Sequence, residues 1–185
     1  MRIIVGISGA SGSQYGIRLL EVLQGYRNIE THLIISEIAK KNIQLETDWK
    51  VEEVEALADF VYDIQDLTAP ISSGSFRTEG MVIAPCSVKT LSGLANSFNT
   101  NLLIRAGDVT LKEKRKLIII LRETPIHLGH LRLMTFLAKM GATIMPPVPA
   151  FYYRPKTIQD IIDHTIGKIL DQFGLEHRLF RRWKD

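Results

Sequence analysis

Two kinds of apolar pattern alternate along the chain. Short runs rich in β-branched residues are typical of buried parallel strands, and longer stretches with apolar residues every three or four positions are typical of covering helices. The short runs predict five strands, at residues 2–8, 30–36, 81–85, 116–121 and 142–145. The longer stretches predict helices at residues 14–23, 37–45, 51–58, 90–96, 101–114, 128–140 and 157–173.

This alternation predicts an α/β fold, a three-layer doubly wound parallel sheet of Rossmann-like or flavodoxin-like type. A length of 185 residues suits one compact domain with a substantial core, so residues 1–185 are expected to form a single domain. The segment from residue 63 to 78, rich in Ser, Ala and Gly, has no clear period and is a candidate functional loop.

Composition and charge narrow the class of protein. Hydrophobic residues make up 45% of the chain and charged residues 23%, as in ordinary globular proteins. No apolar run approaches the roughly 18 residues that span a bilayer. The start of the chain resembles a buried strand more than a signal peptide. Together these two observations predict a cytoplasmic protein with no membrane partner. Much of the net charge of +3 comes from residues 112–116 and 178–184. These runs lack the broad basic stripe with interleaved aromatic residues that nucleic-acid binding requires, whereas small anionic ligands stay compatible with them.

The cysteine and histidine content argues against a metal site. The single cysteine, Cys86, excludes an internal disulfide and a cysteine-based metal cluster. His127 and His130 stand three positions apart and would share one face of a helix. With no third candidate ligand nearby, we favour a structural or capping role for this pair and predict no metal.

The first predicted strand leads into the turn Gly9-Ala10-Ser11-Gly12. Ligands of open parallel sheets bind beyond the carboxyl ends of the strands, and these glycines would let backbone N–H groups approach a phosphate. Their spacing matches neither the dinucleotide fingerprint nor the P-loop. From the turn alone, a phosphate cradle and a helix capped by Ser11 or Ser13 are equally good interpretations.

Further polar groups follow the third and fourth predicted strands. The run Ser87-Val88-Lys89-Thr90 would form either a second anion site or a simple helix cap. Arg122-Glu123 places a cation and a carboxylate where phosphate binding and proton transfer would be needed. Arg105, Asp108 and Lys112 fall on one face of a helix, which by itself indicates a ladder of surface ion pairs.

Seven longer motifs make the chain resemble a known family. They are GISGASGSQYG (6–16), SSGSF (72–76), PCSVKTLSG (85–93), AGDVTLKEKRKL (106–117), RETPIHLGHLRLM (122–134), MPPVPAFYYRP (145–155) and LDQFG (170–174). With these motifs the chain resembles the UbiX family of flavin prenyltransferases from about residue 2 to 183.

The resemblance implies a reaction. Members of the family join the dimethylallyl group of dimethylallyl phosphate to N5 and then C6 of reduced FMN, without a metal. The prenylated FMN serves a UbiD-type decarboxylase, classically in ubiquinone biosynthesis. The family forms large homo-oligomers, commonly dodecamers built from trimers, so that part of each site comes from a neighbouring subunit.

The resemblance also assigns roles to individual residues. FMN would be held by Gly9, Ala10, Ser11, Ser36, Ser87, Val88, Lys89, Thr90 and Arg122. The catalytic residues would be Ser11, near N5, and the carboxylates of Glu46 and Glu123, with Glu123 the better candidate for proton handling. The allylic phosphate would be surrounded by Arg105, Lys112, Arg122, Tyr152 and Lys168.

Two further points follow from the resemblance. Trp183 would help to wall the allyl cation with its π face. Lys168 stands where the family usually has Arg, so a point charge would replace a bidentate grip on phosphate.

Two alternative functions stay open: an FMN-binding carrier or chaperone for a decarboxylase, and an oxidative flavoprotein decarboxylase of the peptidyl-cysteine type, whose Pro-x-Met-Asn-x-x-Met-Trp motif the chain lacks.

Overall fold

The computed structural model of the chain describes residues 1–184, which group into two compact units, Met1–Pro146 and the part from Pro147 onward. The single domain expected from chain length stays a prediction. The strands of the first unit are β1 (Arg2–Ile7), β2 (Glu30–Ile35), β3 (Phe60–Tyr62), β4 (Gly80–Cys86), β5 (Lys116–Leu121) and β6 (Thr143–Ile144). They form one sheet in the order β3-β2-β1-β4-β5-β6, and every neighbouring pair is parallel. The predicted doubly wound fold is therefore confirmed, with the strand order of the Rossmann fold rather than that of flavodoxin.

Helices connect the strands. They are α1 (Ser13–Leu23), α2 (Glu37–Glu46), α3 (Val51–Glu55), α4 (Val88–Ala95), α5 (Leu102–Lys112), α6 (Leu128–Lys139) and, in the second unit, α7 (Ile158–Phe173). The candidate loop contains one short 3-10 turn, Pro70–Ser72. Within the part of the chain that the structure describes, no helix is long and apolar enough to cross a membrane.

The central strands are buried on both faces, which explains their unbroken apolar runs. Alternate side chains such as Ile4, Met81 and Ile119 point into one core cluster, where they join buried residues of α4, α5 and α6. Each such side chain contributes about 1.5–3 kcal/mol when it leaves water. This burial fixes the register of the strands and hence the edge where they end.

The pattern analysis missed strand β3. It has only three residues, and Phe60 and Val61 are 48% and 43% exposed because the strand lies at the edge of the sheet. The strand is held by its contact with β2, where the buried His32 ring stacks on Phe60 at 5.1 Å and binds the Tyr62 hydroxyl at 2.9 Å. Burial lowers the pKa of His32. A contact between residues this far apart leaves no local pattern in the sequence.

In the second unit, both ends of α7 are capped. The Thr157 hydroxyl accepts from the backbone N–H of Asp160, and the Asp160 carboxylate accepts from that of Thr157, which forms a capping box. At the other end Gly174 adopts φ 70°, in the left-handed region that glycine favours. The predicted helix at residues 157–173 is therefore confirmed within one residue.

Candidate functional site

The centre of the candidate site lies between β1 and β4. The chain leaves these adjacent strands toward opposite sides of the sheet, which opens a crevice at their carboxyl ends. The buried Ser8 hydroxyl joins the two strand ends, since it donates to the Pro85 carbonyl at 3.0 Å and accepts from the Ser87 N–H at 2.8 Å. The two polar turns found in the sequence therefore flank one crevice. Sequence reasoning noted Ser8 only as a strand end and missed this bridging role.

Of the two interpretations of the first turn, the one with a serine cap for α1 is wrong. Gly12 occupies the N-cap position with φ 103°, and no side chain of the described residues caps it. The Ser13 hydroxyl is buried without a hydrogen-bond partner in residues 1–184, and Ser11 is exposed. A left-handed conformation costs glycine little, so the turn is built by its backbone. Ser11 is thereby left available to a ligand.

Gly16 allows the first helix to approach the sheet. A Cβ atom at this position would lie 2.3 Å from the Ala84 carbonyl oxygen and 2.7 Å from Ile7. Only glycine permits this contact, which has the packing role of the third glycine in dinucleotide-binding turns. Sequence reasoning missed Gly16. The available signal was a fourth glycine, four residues after Gly12.

The last turns of α2 are tied to the first turn by three hydrogen bonds. Glu46 Oε2 accepts from the Gly12 N–H at 2.8 Å, Asn42 Nδ2 donates to the Ala10 carbonyl at 3.1 Å, and Gln14 Nε2 donates to the Glu46 carbonyl at 3.0 Å. The structure therefore brings the predicted catalytic Glu46 to the residue next to Ser11. The sequence did not indicate Asn42 or Gln14.

Three helices begin at this edge of the sheet. The Ser36 hydroxyl caps α2 by accepting from the Ala39 N–H at 3.2 Å. The Ser87 hydroxyl likewise caps α4 through the Thr90 N–H at 3.3 Å, with Val88 and the exposed Lys89 in the first turn, so the predicted cap is confirmed. Together with α1, these helix N-termini create a positive potential suited to an anion.

Arg122 and Glu123 follow β5 and reach the same place. The Arg122 N–H donates to the Cys86 carbonyl at 3.1 Å, and its Nε donates to the Ser11 carbonyl at 3.2 Å. The partly exposed Glu123 carboxylate accepts from the Thr124 N–H at 3.0 Å. A cation and a carboxylate thus stand next to the first turn. Beside them, complete burial raises the pKa of the Cys86 thiol, which suppresses thiolate formation.

The histidine pair after this loop has the predicted capping role. His127 Nδ1 accepts from the Gly129 N–H at 3.0 Å and so caps α6. The His130 ring stacks on it, with 3.6 Å between the ring centroids. Among residues 1–184, no group of three or more His, Cys, Asp or Glu side chains is placed to hold a metal ion.

The structure does not bring Arg105 or Lys112 into the crevice of the same chain. Arg105 pairs with Asp108 at 3.3 Å, as the ladder predicted, and also donates to the Ser72 carbonyl at 3.1 Å. Lys112 pairs with Glu113 instead of Asp108. Because α5 ends just before β5 begins, Lys112 lies toward the amino edge of the sheet, opposite the edge of Ser11.

The second unit holds the remaining predicted residues. The rings of Tyr152 and Trp183 meet edge to face at 5.4 Å, and both line a cavity of about 470 Å³ that also contains Arg154 and Lys184. Lys168 forms an ion pair with Asp171 at 3.6 Å. Tyr152 and Trp183 are therefore together, with cations around them.

Comparison with known proteins decides the family. A sequence model of the Flavoprotein family matches residues 1–171. A flavin prenyltransferase UbiX of Thauera aromatica is 61% identical over 183 residues, which cover 99% of this chain and 94% of the relative. The chain belongs to the UbiX family of flavin prenyltransferases. The resemblance drawn from the seven motifs is confirmed.

Two solved UbiX structures support the same assignment. A dodecameric FMN-dependent UbiX-like decarboxylase from Escherichia coli O157:H7 is 49% identical, with a TM-score of 0.98 and complete coverage of both chains. AnUbiX (PadA1), in complex with FMN and dimethylallyl pyrophosphate, is 46% identical with a TM-score of 0.97, over 100% of this chain and 97% of that one. The chain therefore shares the fold of the UbiX structures as well as the sequence of the family.

Proposed function

We propose that this UbiX family member transfers the dimethylallyl group of dimethylallyl phosphate to N5 and then C6 of reduced FMN, and that the product serves a UbiD-type decarboxylase. The observation that supports this most directly is the crevice between β1 and β4, where the Ser8 hydroxyl joins two turns rich in anion-binding groups. The AnUbiX complex contains the pyrophosphate form of the allyl donor. For this chain we propose the monophosphate, dimethylallyl phosphate, as the donor.

The crevice fits FMN because its groups are those that a phosphate and a flavin need. Phosphate oxygens only accept hydrogen bonds from the protein, and three helix N-termini supply donors. The capping hydroxyls of Ser36 and Ser87 accept from backbone N–H groups through their lone pairs. The Ser36 hydroxyl also has a proton to donate, whereas the Ser87 hydroxyl donates to Thr90 Oγ1 at 3.2 Å. Bound FMN supplies the electron-rich N5 and C6 positions to which the allyl group is joined.

Ser11 would lie beside N5, with its backbone held from both sides. Its carbonyl accepts from Arg122, and the next N–H group, that of Gly12, donates to Glu46. This arrangement fixes an exposed hydroxyl at the mouth of the crevice without using the hydroxyl itself. Fixed polar groups need no reorganisation during reaction, which lowers the barrier.

The carboxylates and cations would share the remaining chemistry. Ring closure joins C6 to the allyl group at the expense of its double bond, so one proton adds to that double bond and one proton leaves C6. Glu123, partly exposed next to Arg122, would take up the proton that C6 loses. Phosphate leaves poorly on its own, so Arg122, Tyr152 and Lys168 would stabilise its charge. Glu46 would act near the reacting carbons through its position on the Gly12 N–H.

Assembly of several copies is part of the proposal. Arg105 and Lys112 lie away from the crevice of their own chain, so they would serve the site of a neighbouring copy. Helix α6 carries Arg132, Thr135 and Lys139 along one side and mostly apolar residues elsewhere, yet Leu137 is its one buried residue. Leu128, Leu131 and Phe136 are 61%, 49% and 51% exposed. A second copy would cover this face, as in the dodecameric relative.

A single-turnover assay tests the transfer. We expect purified protein, incubated without oxygen with reduced FMN and dimethylallyl phosphate, to yield a flavin heavier by one C5 isoprene unit in mass spectrometry. Glu123→Gln should retain FMN and slow product formation about 100-fold or more, because a general base contributes about that much. Glu79→Gln, at the opposite edge of the sheet, is the control and should behave as wild type. Tight FMN binding without any adduct would contradict the proposal and favour an FMN carrier.

A further inference from the structure

The last residues that the structure describes fold back onto α7. At Gly167, in the middle of the helix, a Cβ atom would lie 2.4 Å from Phe180 Cε1 and 2.5 Å from His177 Cε1. The segment from residue 177 to 184, which we call the tail, therefore packs directly on the backbone of α7. A glycine at this position permits the contact.

The tail is anchored by the carboxylate of Asp171. Arg182 donates to both of its oxygens, from Nη2 to Oδ1 at 2.7 Å and from Nη1 to Oδ2 at 3.2 Å. Such two-point bonds between guanidinium and carboxylate are among the strongest polar contacts in proteins. The hydrogen bonds from Arg182 lower the pKa of Asp171, so the carboxylate stays charged at neutral pH.

His177 binds the same carboxylate without needing a charge. Its side chain is only 2% exposed, its Nδ1 accepts from the Leu179 N–H at 3.3 Å, and its Nε2 lies 3.2 Å from Asp171 Oδ1. Because Nδ1 is an acceptor, the proton of the neutral ring resides on Nε2 and points at the carboxylate. The tail is thus held at two points, one charged and one neutral.

Asp171 also holds groups of the proposed substrate site. The Lys168 ammonium lies 3.6 Å from Oδ2, one helical turn before the carboxylate. Trp183 directly follows Arg182, and its ring meets that of Tyr152 at 5.4 Å. The orientations of Lys168 and of the tail that carries Trp183 therefore both depend on one carboxylate. Tyr152 packs against Trp183, and its hydroxyl also lies 3.3 Å from His164 Nε2.

We propose that Asp171 is a positioning residue for the transfer reaction. Its carboxylate fixes the tail and Lys168, so that Tyr152, Lys168 and Trp183 are in place before dimethylallyl phosphate binds. Asp171 touches neither substrate nor flavin in this scheme. This inference rests on the proposed function, because the role of these three residues toward the allyl phosphate comes from it.

Limited trypsin digestion tests the anchor without reference to activity. The tail contains cleavage sites after Arg178, Arg181, Arg182 and Lys184. In Asp171→Asn we expect mass spectrometry to show tail cleavage about tenfold faster than in wild type, because cleavage follows local opening, while the rest of the chain persists. Asp163→Asn removes the same charge from the same helix and is the matched control. Equal cleavage in wild type and Asp171→Asn would overturn the proposal.

Steady-state kinetics tests the positioning. Asp171→Asn should raise the KM for dimethylallyl phosphate about tenfold with kcat within about threefold of wild type and FMN affinity unchanged, as expected when ground-state placement of a substrate group is lost. Asp171→Asn combined with Arg182→Gln should be no worse than the more damaged single variant, because both remove one interaction. Faster tail cleavage with an unchanged KM would overturn the positioning role. A wild type that binds FMN but transfers nothing would instead refute the proposed function, and the digestion would still report on the anchor.

Discussion

Lys168 shows how one residue type changes a phosphate site. The family resemblance predicts arginine here, which would grip phosphate through a planar fork of N–H groups, whereas lysine offers a compact point charge. In this structure its ammonium is 3.6 Å from Asp171 and its side chain is 47% exposed. Asp171 thus holds the ammonium at a partly exposed position, from which it would offer an incoming phosphate one charge without a two-point grip.

Lys168→Arg should therefore strengthen binding of the allyl phosphate. We expect the KM for dimethylallyl phosphate to fall about threefold or more, because bidentate charge-assisted bonds exceed a single one in strength. Lys156→Arg is the control, since Lys156 contacts Asp160 through its backbone N–H. The measurement is the rate of prenylated flavin formation against substrate concentration. A higher KM in Lys168→Arg would contradict the phosphate role of this residue.

At the scale of elements, the sequence predicted those parts whose signal is local. Strands β1, β2, β4 and β5 and helix α7 were all found from patterns within a few residues. Edge strand β3 was missed because its stability comes from contact with His32, 28 or more positions away. The same limit explains why Glu46 entered only through family resemblance, and why its contact with Gly12, 34 positions away, was not predicted.

The interpretation of the first turn as a serine cap failed for a reason other than distance along the chain. Serine residues commonly cap helices, and both Ser11 and Ser13 stood at the right place. The backbone of Gly12, with φ 103°, adopts the turn that a capping serine would otherwise stabilise. Residue preference alone cannot distinguish these solutions, because they place the start of the helix within one residue of Ser13.

The approach of α1 to β4 gives a prediction about stability. Gly16→Ala should lower the free energy of unfolding by about 2 kcal/mol or more, because the new methyl group would collide with the backbone carbonyl of Ala84 at 2.3 Å. For a chain of this size the melting temperature should fall by about 4–8 °C in calorimetry. Gly25→Ala, in the exposed turn after α1, makes the same chemical change and should alter stability by less than about 0.5 kcal/mol. Similar melting temperatures for the two variants would show that the helix moves away without penalty.

At the scale of the whole molecule, the proposed site draws on more than one copy of the chain. The crevice supplies the flavin-binding groups, whereas Lys112 points from the opposite edge of the sheet and α6 leaves an apolar face exposed. Between the ends of α4 and α6 lies a groove of about 590 Å³ lined by Leu133, Phe136 and Met140. We expect other copies of the chain to cover the apolar face and the groove, and to receive Lys112 in their own sites.

A charge on the exposed apolar face of α6 should therefore make the oligomer dissociate and lower the activity. We expect Phe136→Glu to shift the mass in native mass spectrometry from a large oligomer toward smaller species, because burying an unpaired carboxylate is costly. Prenyl transfer should fall about tenfold or more, since Arg105 and Lys112 would no longer reach a neighbour. Leu67→Glu, at a position of similar exposure (48% against 51%), is the control. An intact oligomer in Phe136→Glu would exclude α6 as the contact surface.

The Ser8 hydroxyl has a consequence for how the crevice can move. It joins the end of β1 to the turn after β4 with two bonds, at 3.0 and 2.8 Å, in a buried position. Widening the crevice at this point would break both bonds and leave buried polar groups without partners, at a cost of about 1–3 kcal/mol for each group. The width of the crevice at its floor is therefore fixed once the chain has folded. Any adjustment to a thicker or thinner ligand has to occur in the loops above the floor.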